Sequence, residues 1–317
     1  MMMTAERILV TGGAGFIGSH LVEALLEYGY SVRVLDDLST GKLSNLPIDR
    51  CHLTLVVGDV ADASTVARAM KDCTAVVHLA AVASVQASVD DPIATHQSNF
   101  IGTLNICEAM RQAGVRRVVY ASSAAIYGNN GEGTAISEDT PKNPLTPYAA
   151  DKLASEHFLD FYRRQHGLEP VILRFFNIYG PRQDPSSPYS GVISIFSERA
   201  QKKLPITVYG DGEQTRDFVY VNDLVKILVQ AVTESKPRNE PINVGFNRST
   251  SLNDLATMLG ELLGWPLSLA YDAPRSGDIR HSLADNSRLL RHFSLEKPTC
   301  FAEGLGQLLR SIDAGGR

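Results

Sequence analysis

Short runs of aliphatic and β-branched residues, separated by stretches of helical periodicity, organise the first half of the chain. They are RILVTG (7–12), SVRVLD (31–36), LTLVVGD (53–59), AVVHLAA (75–81), RRVVYASS (116–123) and PVILRFFN (170–177). Several are apolar throughout, without the alternation of a half-exposed strand, so they predict strands covered on both faces. Helical patterns fill 16–28, 62–71, 92–113 and 147–166. Strand–helix alternation on short connections predicts an α/β fold, a doubly wound parallel sheet of Rossmann type with helices on both faces. Ligands on such a sheet bind beyond the carboxyl ends of the strands.

The texture changes after Tyr179. GPRQDPSSPYSG (180–191) reads as loop, followed by a helix over 191–202, ITVYGDG (206–212), a helix from 222 to 234, PINVG (241–245) and a helix over 251–263. The expected division is a dinucleotide-binding domain at 1–178 and a smaller mixed α/β substrate domain at 179–317, with 217–247 returning to the first. A chain of 317 residues is longer than one hydrophobic core usually spans.

Net charge is −5 with no basic block, which argues against nucleic acid and anionic membrane as partners. No apolar run reaches membrane-spanning length, and MMMTAERILV has a charged pair where a signal peptide needs its apolar stretch. Cys51, Cys73, Cys107 and Cys300 lie far apart without metal-ligand spacing, so reduced thiols and no metal site are expected. These features predict a soluble, cytoplasmic protein.

TGGAGFIG (11–18) joins the first strand to the first helix. Gly12, Gly15 and Gly18 allow a tight turn, close approach to a pyrophosphate and close helix–strand packing. Phe16 and Ile17 open a helix whose N-terminus favours phosphate. Asp36, ending the second strand with Asp37 beside it, is placed to bond the adenosine ribose hydroxyls. Its charge repels a 2′-phosphate, which favours NAD over NADP. Asp59 and Val60 are placed to meet the adenine edge. For Asp59 the structural alternative is the N-cap of the 62–71 helix.

YAADK (148–152) sets Tyr148 and Lys152 one helical turn apart on one face, with Cβ atoms about 5–6 Å apart. An ammonium beside a phenol favours the phenolate, making Tyr148 a candidate base near neutral pH. The same spacing also describes an exposed lysine beside a half-buried tyrosine, so the pair alone does not decide.

Together the glycine turn, Asp36, GDV, HLAA, SSAAIYG, YAADK and RFFNIYGPRQ resemble the extended short-chain dehydrogenase/reductase family over nearly the whole chain. Within it the chain is similar to nucleotide-sugar 4-epimerases, most of all the bacterial UDP-N-acetylglucosamine 4-epimerases. The resemblance implies a tightly held NAD used transiently. Tyr148 is then the base on the sugar 4-hydroxyl. Lys152 bonds the nicotinamide ribose and lowers the tyrosine pKa, and Ser123 bonds the reacting oxygen. Leu79, Ala80, Ala81 and Asn99 line the cofactor, with Phe176 near the nicotinamide.

For the UDP-sugar the resemblance implies Asn177, Val192, Tyr209 against the uracil, Arg216, and Arg275 with Asp278. Two arginines from separate segments would neutralise the diphosphate. Related dehydratases carry carboxylates just after the position of Ser123, where this chain has Ala124 and Ala125, so epimerisation is left. Ser282 occupies the position that gates the space beside sugar carbon 2 and admits an acetamido group, which Ser84 is placed to bond. The implied activity is UDP-GlcNAc/UDP-GalNAc 4-epimerisation. The alternatives are a UDP-Glc/UDP-Gal or UDP-uronate 4-epimerase, or an NAD-binding regulator without chemistry. A homodimer is implied as well, through a four-helix bundle of 92–113 and 147–166 with Leu153, Phe158 and Phe161 as apolar surface.

Overall fold

Ile8, Leu9 and Val10 in the first strand have almost no exposed surface, and neither do Val76, Val77, Val118 and Val119. Such burial requires cover on both faces of the sheet, as the unbroken apolar runs demand. The computed structural model describes residues 6–130, 133–185, 191–236, 238–274 and 279–315. In chain order it forms β1 (Arg7–Thr11), α1 (Phe16–Glu27), β2 (Ser31–Asp36), β3 (Leu53–Val57), α2 (Ala63–Met70), β4 (Ala75–His78) and α3 (Val85–Asp90). There follow α4 (Pro92–His96), α5 (Gly102–Ala113), β5 (Arg117–Ser123), α6 (Pro147–His166), β6 (Glu169–Phe175), β7 (Asn177–Tyr179), β8 (Ile206–Tyr209) and β9 (Thr215–Arg216). The remaining strands are β10 (Phe218–Tyr220), β11 (Ile242–Val244), β12 (Thr250–Ser251) and β13 (Leu269–Asp272).

A seven-stranded sheet runs in the order β11-β6-β5-β4-β1-β2-β3. Its first strand pairs in parallel with both β2 and β4, setting Thr11 opposite Leu35 and His78. Chain order reverses on either side of β1, which is the switch point where a doubly wound sheet opens a crevice. The expected helix over 92–113 is broken by a π-helical segment, Gln97–Ile101, between α4 and α5. Such wide turns concentrate at functional sites.

The chain groups into two compact units: Met1–Ile126, Pro144–Arg174 and Val225–Ile242 in one, and Tyr127–Asn143, Phe175–Leu224 and Asn243–Arg317 in the other. This differs from a cut at 178 with 217–247 returning. Residues 127–143 join the second unit because Ile136 N–H donates to the Leu283 carbonyl at 2.8 Å and its carbonyl accepts Asp285 N–H at 2.9 Å. Asn243 anchors the same stretch, accepting the Tyr127 hydroxyl at 2.7 Å and giving its own N–H to Glu138 at 2.8 Å. The second unit also holds the parallel pairs β7–β10 and β8–β13 and the antiparallel pair β9–β12. Among the described residues no helix is long and apolar enough to cross a membrane, and no His/Cys/Asp/Glu group is arranged to hold a metal.

Candidate active site

At the end of β1 the chain turns through Gly12 with φ +69°, where an added Cβ would lie 2.8 Å from the Ala80 nitrogen. At Gly18 a Cβ would overlap the Gly12 carbonyl. Both positions need glycine for backbone to pass backbone. Gly15 N–H closes the turn onto the Gly12 carbonyl at 3.2 Å. Among the described residues no side chain caps α1, which begins at Phe16 and Ile17. Its first-turn N–H groups therefore have no side-chain cap, the arrangement that favours an anion at a helix N-terminus. The buried Asp36 carboxylate accepts Ala14 N–H and Leu38 N–H, each at 2.9 Å, one on each oxygen. Asp37 is exposed and bonds Ser39.

Asp59 accepts Ala61 N–H at 2.8 Å, and the N-cap of α2 is Asp62, not Asp59. The Thr65 hydrogen bond, then those of Ser64, hold the Asp62 carboxyl down to about 2. Val60 buries its side chain, and its carbonyl accepts the Asn105 amide at 3.0 Å.

Beyond β4, the Leu79 and Ala80 N–H groups both donate to Thr11 Oγ1 at 3.2 Å, with half-buried Ala81 following. The Thr11 hydroxyl, its lone pairs taken, gives its proton to His78 Nδ1 at 2.7 Å. His78 Nε2–H then donates to Thr103 Oγ1 at 3.1 Å, and Thr103 to the Asn99 carbonyl at 2.6 Å. This directional chain assigns the tautomer. Burial, then the charge of Lys152, pushes His78 down to about 3, so it stays neutral and serves as a tie rather than a base. Sequence reading had no signal for it beyond a histidine in an apolar run. Asn99, nearly fully buried in the π segment, turns its carboxamide onto the backbone of Val82. Ser84 caps α3, accepting Ala87 N–H at 3.0 Å.

Thr146 caps α6 and Pro147 opens it, which places Tyr148 in the first turn and Lys152 one turn on. Both side chains are buried, removing the reading of an exposed lysine. Lys152 Nζ donates to the Ala121 carbonyl at 2.8 Å and lies 5.8 Å from the Tyr148 ring centre. Burial raises the Tyr148 pKa, and a hydrogen bond with the Ser123 side chain pulls it the other way. The expected lowering by Lys152 is not among the causes that act on Tyr148 here, and desolvation sets the direction. Burial also brings Lys152 down to about 8. Ser123 closes β5, and its Oγ accepts Ala125 N–H at 3.1 Å.

In the second unit Phe176 is buried and donates its N–H to the Val244 carbonyl at 3.1 Å. Asn177 opens β7, its N–H on the Asp217 carbonyl at 3.1 Å. Val192 is the half-exposed first residue of the helix Val192–Gln201, and Tyr209 ends β8 with its carbonyl accepting Gln214 at 2.6 Å. Arg216 bonds the Thr215 carbonyl at 2.9 Å, a contact that engages part of a five-donor fork and fixes its direction. Ser282 is nearly buried, with its N–H on the Thr215 carbonyl at 3.2 Å. Arg275 and Asp278 lie outside the described residues.

Asp217 is a residue that sequence reading missed. Fully buried, it accepts N–H groups from Phe246 at 3.0 Å, Asn247 at 2.9 Å and Ala284 at 3.1 Å. It thereby ties the strand of Arg216 to the segment of Ser282. A carboxylate inside the apolar run of RDFVYV was the available signal, since a charge there needs buried partners.

The model of the NAD-dependent epimerase/dehydratase family matches residues 8–245. The chain belongs to that family. It is 40% identical over 305 residues to the UDP-glucose 4-epimerase of Mycolicibacterium smegmatis, spanning 95% of this chain and 96% of that one. The UDP-N-acetylglucosamine 4-epimerase of Methanobrevibacter ruminantium, solved with UDP-N-acetylmuramic acid, superposes with a TM-score of 0.94 at 36% identity, over 99% of this chain and 100% of that one. The Thermus thermophilus UDP-glucose 4-epimerase, solved with NAD, gives a TM-score of 0.89 at 40% identity, over 97% and 99%. This family member is an isomerase of the nucleotide-sugar 4-epimerase type, with NAD as its cofactor.

The residues present fit NAD. Each Asp36 oxygen takes one internal N–H and keeps a lone pair for a ribose hydroxyl. The turn at Gly12 and the start of α1, which no side chain caps among the described residues, offer backbone N–H groups to a pyrophosphate.

Proposed function

We propose that this enzyme interconverts UDP-N-acetylglucosamine and UDP-N-acetylgalactosamine by inverting carbon 4 of the sugar. NAD supplies the reversible oxidation of that carbon. Tyr148 takes the proton of the 4-hydroxyl and later returns it, and Ser123 bonds the same oxygen. Ionising a buried phenol costs about 1.4 kcal/mol for each unit between its pKa and the working pH. The Ser123 hydrogen bond reduces that cost, and the Lys152 cation is the group assigned to reduce it further as the hydroxyl ionises. The observation that carries the reading is the Ser123–Tyr148–Lys152 set at the junction of β5 and α6, with tyrosine and lysine both buried.

Asn177, Val192, Tyr209 and Arg216 are assigned to the nucleotide, together with Arg275 and Asp278. Ala124 and Ala125 offer no acid or base for elimination of water. Ser282 supports the acetylated sugars, because its small side chain leaves room beside carbon 2, and Ser84 is assigned to the acetamido group. The second reading, UDP-glucose/UDP-galactose epimerisation, is favoured by 40% identity to the Mycolicibacterium smegmatis UDP-glucose 4-epimerase.

Product analysis with UDP-GlcNAc and UDP-Glc in parallel tests both. UDP-GalNAc formed with the higher kcat/KM is expected, and a higher kcat/KM for UDP-Glc would transfer the assignment to the second reading. Tyr148→Phe should bind NAD and UDP-sugar normally and lose at least about a hundredfold in turnover, as removal of a general base does. Unchanged turnover would remove Tyr148 from its role.

The working form is proposed to be a homodimer. Phe158 and Phe161 stand 41% and 44% exposed on α6, and Phe100 packs edge-on against Phe158 at 5.1 Å. Phe158→Glu should yield a monomer by light scattering if these helices form the interface.

A further inference from the structure

Lys152 sits between two carboxylates on its own helix. Asp151 precedes it, and its Oδ1 bonds His96 Nδ1 at 2.7 Å. The other oxygen, Oδ2, is buried with no hydrogen-bond partner among the described residues. Glu156 follows one turn later and is almost fully buried. Its Oε1 accepts the Ser122 hydroxyl at 2.5 Å and Arg174 Nε at 2.9 Å, while Oε2 accepts Arg174 Nη2 at 2.7 Å. A buried ion pair is weak evidence for stability, because well-packed apolar residues often do as well. A buried carboxylate oxygen without a donor is costly outright. Neither feature is what packing alone would select.

Both make sense as electrostatics directed at Lys152. Burial lowers the lysine, and Asp151, then Glu156, oppose that. Among the described residues no other carboxylate acts on it. From β5 come the Tyr120 ring, 4.9 Å from Nζ, and the Ala121 carbonyl. From β4 comes the neutral His78, from α6 the Tyr148 ring, and from β6 Arg174, bound to Glu156.

We propose that Asp151 and Glu156 are positioning residues for Lys152, two carboxylates that keep the buried amine a cation, one tethered by His96 and the other clamped by Arg174 and Ser122. The Ser122 bond has a second effect. It ties α6 to the residue beside Ser123, so the clamp also sets the distance between the strand end and the helix bearing Tyr148. The proposal rests on the catalytic assignment of Lys152 given above.

The test follows the Lys152 ammonium directly, by NMR of protein labelled at the lysine ε-carbon, with Lys152→Arg to assign the resonance. In Asp151→Asn and in Glu156→Gln the titration midpoint should fall by about one pH unit or more, the usual scale for loss of a close opposite charge. Glu156→Gln leaves Arg174 buried and unpaired and is the variant at risk of unfolding. Glu156→Gln combined with Arg174→Met removes the whole pair and should fold while showing a smaller fall in the same direction, because the Arg174 cation is lost with the anion. The alkaline limb of the kcat profile should move down in pH with the midpoint, whereas a purely structural role would lower melting temperature and turnover without moving that limb. An unmoved midpoint in folded Asp151→Asn and in the folded double variant would overturn the proposal, whatever the turnover shows. If the midpoint falls but Tyr148→Phe and Lys152→Arg keep full activity, the carboxylate effect stands and the catalytic reading fails.

Discussion

Asn99 and Val82 are joined twice: Asn99 Oδ1 accepts Val82 N–H at 2.8 Å, and Nδ2 donates to the Val82 carbonyl at 3.2 Å. The amide of the π segment thus holds the stretch that leaves β4, where the cofactor wall is expected. Asn99→Ala leaves a backbone donor and an acceptor without their partner, at about 1–3 kcal/mol of stability. NAD affinity by calorimetric titration should weaken several-fold or more, with UDP affinity unchanged. Equal loss for both ligands would place the effect elsewhere.

The His78 tie makes a prediction about acid. Its folded value of about 3 lies below the ordinary 6.5, so its contribution to stability is whole above pH 6.5 and is lost as pH falls toward 3. At pH 4 that loss amounts to about 3 kcal/mol. Denaturant titrations at pH 7 and pH 4 should show wild type losing more stability than His78→Gln by about this amount. Parallel losses would mean that His78 titrates normally.

Asp217 should behave as a hub of the second unit. Asp217→Asn exchanges an acceptor oxygen for a donor amid the N–H groups of Phe246, Asn247, Arg248 and Ala284, and a drop of about 2–4 kcal/mol follows from leaving buried donors unpaired. Gly245→Ala should act in the same direction, because a Cβ there would sit 2.7 Å from Asp217 Oδ2. For both variants UDP affinity should fall at least about tenfold while NAD affinity holds. The reverse order would exclude the hub.

Ser282→Tyr tests the sugar. Since the Ser282 N–H is held on Thr215, the larger side chain cannot relax by shifting that backbone freely. The ratio of kcat/KM for UDP-GlcNAc over UDP-Glc should fall at least about thirtyfold, the scale of steric discrimination in a pocket. An unchanged ratio would show that position 282 does not select the substituent.

Much of the frame was legible along the chain. Apolar runs announced the buried strands, and the expected helices at 16–28, 62–71 and 147–166 end within a residue or so of α1, α2 and α6. The glycine turn and Asp36 were equally readable, because their geometry is set by residues adjacent in sequence. Asp62 as the cap of α2 was nearly readable too, missed by three positions because either aspartate satisfies a local pattern.

What the sequence alone determined is local: periodicity, turns and one-turn spacings such as Tyr148 to Lys152. What it left open depends on partners distant in the chain. Ile136 joins the second unit because Leu283 and Asp285 meet it, and the buried Glu156 of α6 finds its partner in Arg174 reaching it from β6. The rise of the Tyr148 pKa has the same origin. Desolvation is a property of everything packed around a group, so only the assembled tertiary structure decides whether a phenol next to a lysine is easier or harder to ionise.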